Sequence, residues 1–179
     1  MNNLKEVSSL KDIPKEIADS PVALLLQYHN LQKPFDVYER AQLLIGMCMD
    51  NRKSLRIPRN FAYIIRTGGA NLHYNEFQVS YAIAVGGIKH IILMAHNRCG
   101  MVNLFSKKEL FVDGLVSNGG WDRSLAEEHF IHHAPLFEIS NEIDFVLSEV
   151  NRLQYRYTGI VVVPLYYNID NDRLHLITE

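Results

Sequence analysis

The sequence predicts an α/β fold, a central, mostly parallel β-sheet flanked by helices. Three observations carry that expectation. Apolar runs of strand length alternate with stretches of helical period. The two motifs richest in metal-ligand chemistry each follow such an apolar run, and the last stretch alternates about a turn.

The elements follow in chain order. Residues 10–31 carry the spacing of one or two helices, within an N-terminal helical arm over about residues 1–40. A first strand is expected over 42–47 and a second over 61–65. Phe77, Tyr81 and Ala84 recur at helical spacing within 75–85, and Gly86-Gly87 closes that helix because glycine adopts the left-handed cap conformation freely. A third strand spans 88–95, and 101–120 is mixed, with Asn118-Gly119-Gly120 read as a loop. Helical period dominates 124–155 despite Pro135 and ends near Gly159. The fully apolar 160–163 is a buried strand, and 166–178 alternates around the turn 168–172, leading to an edge strand.

With 179 residues, 47% hydrophobic and 21% charged, the chain supports one well-buried core, so it is read as a single domain over 1–179, its metal-binding core over about 41–179. A formal charge of -2 gives no global electrostatic footprint for nucleic acid or an anionic membrane. No apolar run reaches the roughly 18 residues of a membrane span, and the polar start lacks the layout of a signal peptide. A cytoplasmic protein is expected. In that reducing compartment its two cysteines are metal-bound, catalytic or buried rather than disulfide-bonded.

Those two cysteines are the most informative residues. Cys48 lies in Met47-Cys48-Met49-Asp50-Asn51-Arg52 and Cys99 in His96-Asn97-Arg98-Cys99-Gly100, each at the expected carboxyl end of a strand, where open α/β sheets bind ligands. Thiolates and imidazole suit zinc, and three protein ligands leave a fourth position for water, as in catalytic zinc sites. His96 and Cys99, three apart, can be aimed at one point by a strand-to-helix turn while Cys48 approaches from the neighbouring strand. Asp50 and Arg52 alternate beyond the first strand end. On a bare surface they would be an ion pair worth roughly 0 to 1 kcal/mol. Beside a metal, Asp50 can orient a zinc-bound hydroxide while Arg52 keeps the carboxylate ionised. With two thiolates the zinc and its protein ligands are formally neutral, so activity is expected to rise towards alkaline pH. A thiol redox pair of Cys48 and Cys99 is the competing reading, opposed by the adjacent His96.

Taken in order, Cys48-x-Asp50-x-Arg52, Arg66-Thr67-Gly68-Gly69-Ala70-Asn71 and His96-x-x-Cys99-Gly100 resemble the motifs of the β-class carbonic anhydrases of compact microbial type. The resemblance is strong over 42–101 and looser to 178. It implies one Zn2+ per chain on Cys48, His96 and Cys99, a catalytic dyad of Asp50 and Arg52, and reversible hydration of carbon dioxide to bicarbonate and a proton. It also implies about four parallel strands plus an antiparallel edge strand, and a homodimer or higher homo-oligomer whose partner chain helps wall the pocket. Some members of the family close the site by moving the aspartate from the arginine to the metal, a role open to Asp50.

The chain departs from the family pattern at Ala95-His96-Asn97, where many members have Gly-His-Ser or Gly-His-Thr, and at 66–71, where many have Arg-Asn-Ala-Gly-Asn. Relatives that resemble this family hydrolyse carbonyl sulfide or carbon disulfide with the same zinc and dyad, so a sulfur analogue is the alternative substrate. A zinc-stabilised, non-catalytic binding or regulatory protein is a third reading. His129, His132 and His133 are candidates for relaying protons, set against ordinary surface histidines. Gly68-Gly69 lacks the lysine and Ser/Thr of a phosphate loop. Tyr155, Tyr157, Tyr166 and Tyr167 read as core or interface aromatics, since no basic stripe accompanies them.

Overall fold

The computed structural model describes residues 3–178. In chain order the elements are β1 (Asn3–Glu6), α1 (Pro21–His29), β2 (Leu43–Cys48), β3 (Ala62–Thr67), α2 (Glu76–Ala84), β4 (His90–His96), α3 (Lys108–Gly119), α4 (Arg123–Phe137), α5 (Glu142–Arg156), β5 (Val161–Asn168) and β6 (Arg173–Thr178). The strands form one sheet in the order β1-β6-β5-β4-β2-β3. β3, β2, β4 and β5 run parallel, whereas β6 and β1 are antiparallel to their neighbours.

β2 and β4 are apolar on both faces because both faces are covered, which is why these runs do not alternate. Leu43, Ile45 and Met47 pack with Val22, Leu25 and Leu26 of α1, and Leu44 packs oppositely with Val79 of α2 and Val146, Val150 and Leu153 of α5. Gly46 allows close packing on the α2 and α5 side, since a Cβ there would meet Leu72 Cδ1 and Leu93 Cδ2 at 2.9 Å. Asp122 caps α4 and Asn141 caps α5 through the backbone N–H groups of Ser124, Leu125, Ile143 and Asp144. Among the described residues no helix is long and apolar enough to cross a membrane.

Three expectations need correction. The N-terminal arm is not mainly helical: residues 10–12 and 15–17 are single 3-10 turns, α1 is its one α-helix, and residues 3–6 form β1. The polar Asn3-Leu4-Lys5-Glu6 carries no β-branched residue to signal a strand. Tertiary context supplies that signal, as Asn30 Nδ2 donates to the carbonyls of Val7 (2.9 Å) and Leu174 (2.7 Å) and ties the arm to the sheet. Consequently β6, the expected edge, is covered by β1. Residues 118–119 end α3 rather than forming a loop, with Gly120 at φ 69° as its cap. The helical period read over 124–155 is borne out by α4 and α5, with Pro135 inside α4 and a break at 138–141 between them.

Candidate metal centre

Parallel pairing of β2 with β4 brings two strand ends together and aims their next residues into one space. Cys48 is the last residue of β2 and His96 the last of β4. Cys99 follows in a turn whose Arg98 takes φ 55°, folding the sulfur back towards His96. One ligand atom from each of Cys48, His96 and Cys99 lies within 4.8 Å of the others, and all three residues are buried. Among the described residues this is the one such group of three.

The donor set fits zinc. The two sulfurs are 3.9 Å apart, and two thiolates at 2.3 Å from a tetrahedral zinc would be separated by about 3.8 Å. His96 Nδ1 lies 2.9 Å from the Asn97 carbonyl, so that nitrogen carries the proton and Nε2 keeps its lone pair. Nε2 is buried without a hydrogen-bond partner among the described residues, a costly state that a metal bond relieves. The thiols point the same way: sharing a proton with Cys99 pushes Cys48 well below the ordinary thiol range, and the same contact together with burial pushes Cys99 up. A divalent cation that displaces the shared proton lets both sulfurs be thiolates.

Asp50 and Arg52 meet at the rim. Arg52 donates from its backbone N–H (2.9 Å) and Nε (3.0 Å) to Asp50 Oδ1, and from Nη2 to Oδ2 (2.5 Å). The same Nη2 reaches the Arg98 carbonyl at 3.0 Å, joining the loop after β2 to the turn after β4. Arg52 holds the Asp50 carboxyl well below the usual carboxylate range, so Asp50 is ionised wherever the protein is folded near neutrality. The carboxylate rests on Arg52, and Asp50 is outside the convergent group of three.

Several supporting residues are not evident from motif spacing. Arg66, from β3, donates to the carbonyls of Cys48 (3.4 Å), Asp50 (3.3 Å) and Lys53 (3.2 Å), clamping the β2 loop. Asn97, one of the departures near His96, accepts from the Ile169 N–H at 2.8 Å and donates to Asp170 at 2.8 Å, pinning the β4 loop to the β5–β6 turn. A serine or threonine is too short to span both contacts. Glu142, at the start of α5, accepts from the Cys99 N–H at 3.2 Å. Lys53 is buried, with no acceptor for Nζ among the described residues.

Beside Cys48, His96 and Cys99 lies an apolar chamber of about 260 Å³. Met49, Gly68 and Met101 wall its inner side, and Phe111, Phe130 and Phe137 come from α3 and α4. Met101 also packs against Cys48 and Cys99, so chamber and metal centre share a wall. A Cβ at Gly68 would meet Phe137 Cδ1 at 3.0 Å and Met101 Sδ at 3.1 Å, so glycine there permits close packing of this wall. Gly68-Gly69 therefore shapes the chamber, and Tyr167 is a core residue.

No family model matches the chain, and no curated protein matches it by sequence. Solved structures do match in fold. The β-carbonic anhydrase isoform I of Trichomonas vaginalis superposes at TM-score 0.63 with 17% identity, covering 93% of this chain and 99% of that one. A carbonic anhydrase from Streptococcus mutans gives 0.59 with 16% identity over 93% and 100%. A carbon disulfide hydrolase in its apo form gives 0.51 with 21% identity over 90% of each chain. The fold of this chain is the β-carbonic anhydrase fold, as its sequence resemblance implies.

Proposed function

We propose that this chain is a zinc enzyme that reversibly hydrates carbon dioxide to bicarbonate and a proton, with Cys48, His96 and Cys99 holding one Zn2+. The convergence of the three donor atoms within 4.8 Å, with Asp50 and Arg52 at their rim, carries the reading. Zinc, when bound, supplies the Lewis acidity that makes hydroxide available from water near neutral pH. The protein's own groups do the rest. The Asn97 carbonyl fixes the His96 tautomer, and Asp50, acceptor-only when ionised, takes a hydrogen bond from the attacking group and turns its lone pair towards the substrate carbon. Arg52 restrains that carboxylate in two directions, through Nε and Nη2. The apolar chamber suits a neutral, linear substrate and disfavours a hydrated anion.

The chamber also supports a second reading. A volume of about 260 Å³ exceeds what carbon dioxide needs and admits a larger sulfur analogue, carbonyl sulfide or carbon disulfide, equally well. Stopped-flow hydration of carbon dioxide by protein of known zinc content separates the two. Fast, zinc-dependent turnover supports the hydratase. Sulfide release from carbon disulfide, without carbon dioxide turnover, supports the alternative, and neither activity at full zinc occupancy overturns both.

A homo-oligomer belongs to the same proposal. β3 is an edge strand with Ile64 44% exposed, and beside it Phe77 (79%) and Tyr81 (51%) of α2 stand out of the surface. An apolar edge of this kind is a template for pairing with another chain, and a two-fold axis beside β3 would pair it with its copy. Ile64→Lys is expected to shift the sedimentation coefficient from oligomer to monomer. An unchanged coefficient would place the contact elsewhere.

A further inference from the structure

Lys53 lies beside the metal centre and has no part in the chemistry above. It is 3% exposed, although Arg52 and Ser54 on either side of it are exposed, and its Nζ is buried with no hydrogen-bond partner among the described residues. A long lysine side chain ordinarily extends its ammonium to water, and burying one unpaired is costly. Such a charge calls for a compensating one nearby. The backbone brings Lys53 to the centre: the guanidinium of Arg66 takes the carbonyls of Cys48 (3.4 Å), Asp50 (3.3 Å) and Lys53 (3.2 Å), so the loop after β2 folds around one point.

Burial pushes the Lys53 ammonium down, whereas Cys48, Asp50 and Cys99, all within electrostatic reach, push it back up and keep it charged near neutral pH. The same ammonium helps to hold Asp50 ionised. Lys53 is not part of the chamber wall, so it acts through its field and not by touching substrate. With zinc bound, the thiolates of Cys48 and Cys99 balance the metal, and Arg52 balances Asp50. Arg66 is exposed to water, which screens its charge. The buried charge of Lys53 is left without a counterpart. We propose that Lys53 is a positioning residue whose buried positive charge draws a small monovalent anion, bicarbonate among them, to the coordination position that Cys48, His96 and Cys99 leave free. This rests on the zinc centre proposed above.

Isothermal titration of thiocyanate into the native and Lys53→Met proteins, each of measured zinc content, tests it without turnover. A unit charge about 10 Å away at an effective dielectric constant of about 20 changes affinity by roughly tenfold, so the Kd of thiocyanate should rise about tenfold in Lys53→Met. Methionine keeps the unbranched apolar stem, so imidazole in its neutral form should bind both proteins equally. Stability gives a second readout, opposite in sign to the loss of a structural contact. Removing an uncompensated buried charge should raise the calorimetric midpoint of Lys53→Met, and thiocyanate, which binds the native protein more tightly, should narrow the difference. Equal thiocyanate affinity in the two proteins, an equal loss for imidazole, a lower midpoint, or loss of fold or zinc in both Lys53→Met and Lys53→Gln would overturn the proposal. A zinc-loaded native protein that shows the Lys53 effect but hydrates no carbon dioxide would remove the hydratase reading and leave this inference standing. A native protein that holds no zinc would remove both.

Discussion

Replacing Cys48 with serine is expected to strip the protein of zinc and of activity together. Cys48 is 3% exposed, so no other side chain can enter to replace its sulfur. Loss of a supporting contact around a metal ligand costs 10- to 100-fold in affinity, and loss of the ligand itself should cost at least about 100-fold. A ligand at 100 times its Kd contributes about 2.7 kcal/mol to stability, so the thermal midpoint should fall by roughly 5 to 10 °C at ordinary zinc concentrations. Metal analysis and calorimetry on the native and Cys48→Ser proteins check both halves. Retention of one zinc per chain by Cys48→Ser would remove Cys48 from the ligand set.

Asp50→Asn should do the reverse, leaving zinc and fold intact while kcat/KM falls roughly 10²- to 10⁴-fold, the range for a positioned proton-handling group. Asparagine keeps the shape but presents an N–H₂ where the carboxylate only accepts, so the attacking group is no longer oriented. Arg52→Lys should lose less but measurably, since one ammonium cannot replace a fork that holds both carboxylate oxygens and the Arg98 carbonyl. The Asp50–Arg52 pair also has a pH signature. Because the folded carboxyl lies below its unfolded value near 3.9, its contribution to stability is present above about pH 4 and is lost as pH falls through the folded value. Asp50→Asn should therefore flatten the acid limb of stability without moving the neutral region. Unchanged turnover in Asp50→Asn would show that the carboxylate has no part in the chemistry.

The convergence of Cys48, His96 and Cys99 was legible in the sequence because strand, donor residue and turn are local, and each motif sits in one short run. The parallel sheet was legible for a related reason: 43–48 and 91–95 are continuous apolar runs, which a strand covered on both faces needs. What was hidden depends on contacts distant in sequence. β1 exists because Asn30 and β6 give polar residues 3–6 a place to pair, and no property of those four residues announces it. The reach of Asn97 to the β5–β6 turn, of Arg66 to three carbonyls and of Glu142 to the Cys99 N–H span 13 to 73 positions, out of range of motif reading. The histidines of α4 illustrate the boundary. Their spacing places His129 and His133 on one face, but only the packing of α3 and α4 over Met101 shows that this face looks into the chamber.

X-ray absorption at the zinc edge, on protein purified with its metal, tests whether Cys48, His96 and Cys99 hold zinc. One zinc per chain is expected, bound by two sulfurs at about 2.3 Å and by nitrogen or oxygen at about 2.0 to 2.1 Å, with one sulfur missing in Cys99→Ser. A sub-stoichiometric metal, or a zinc shell without two sulfurs, would contradict it.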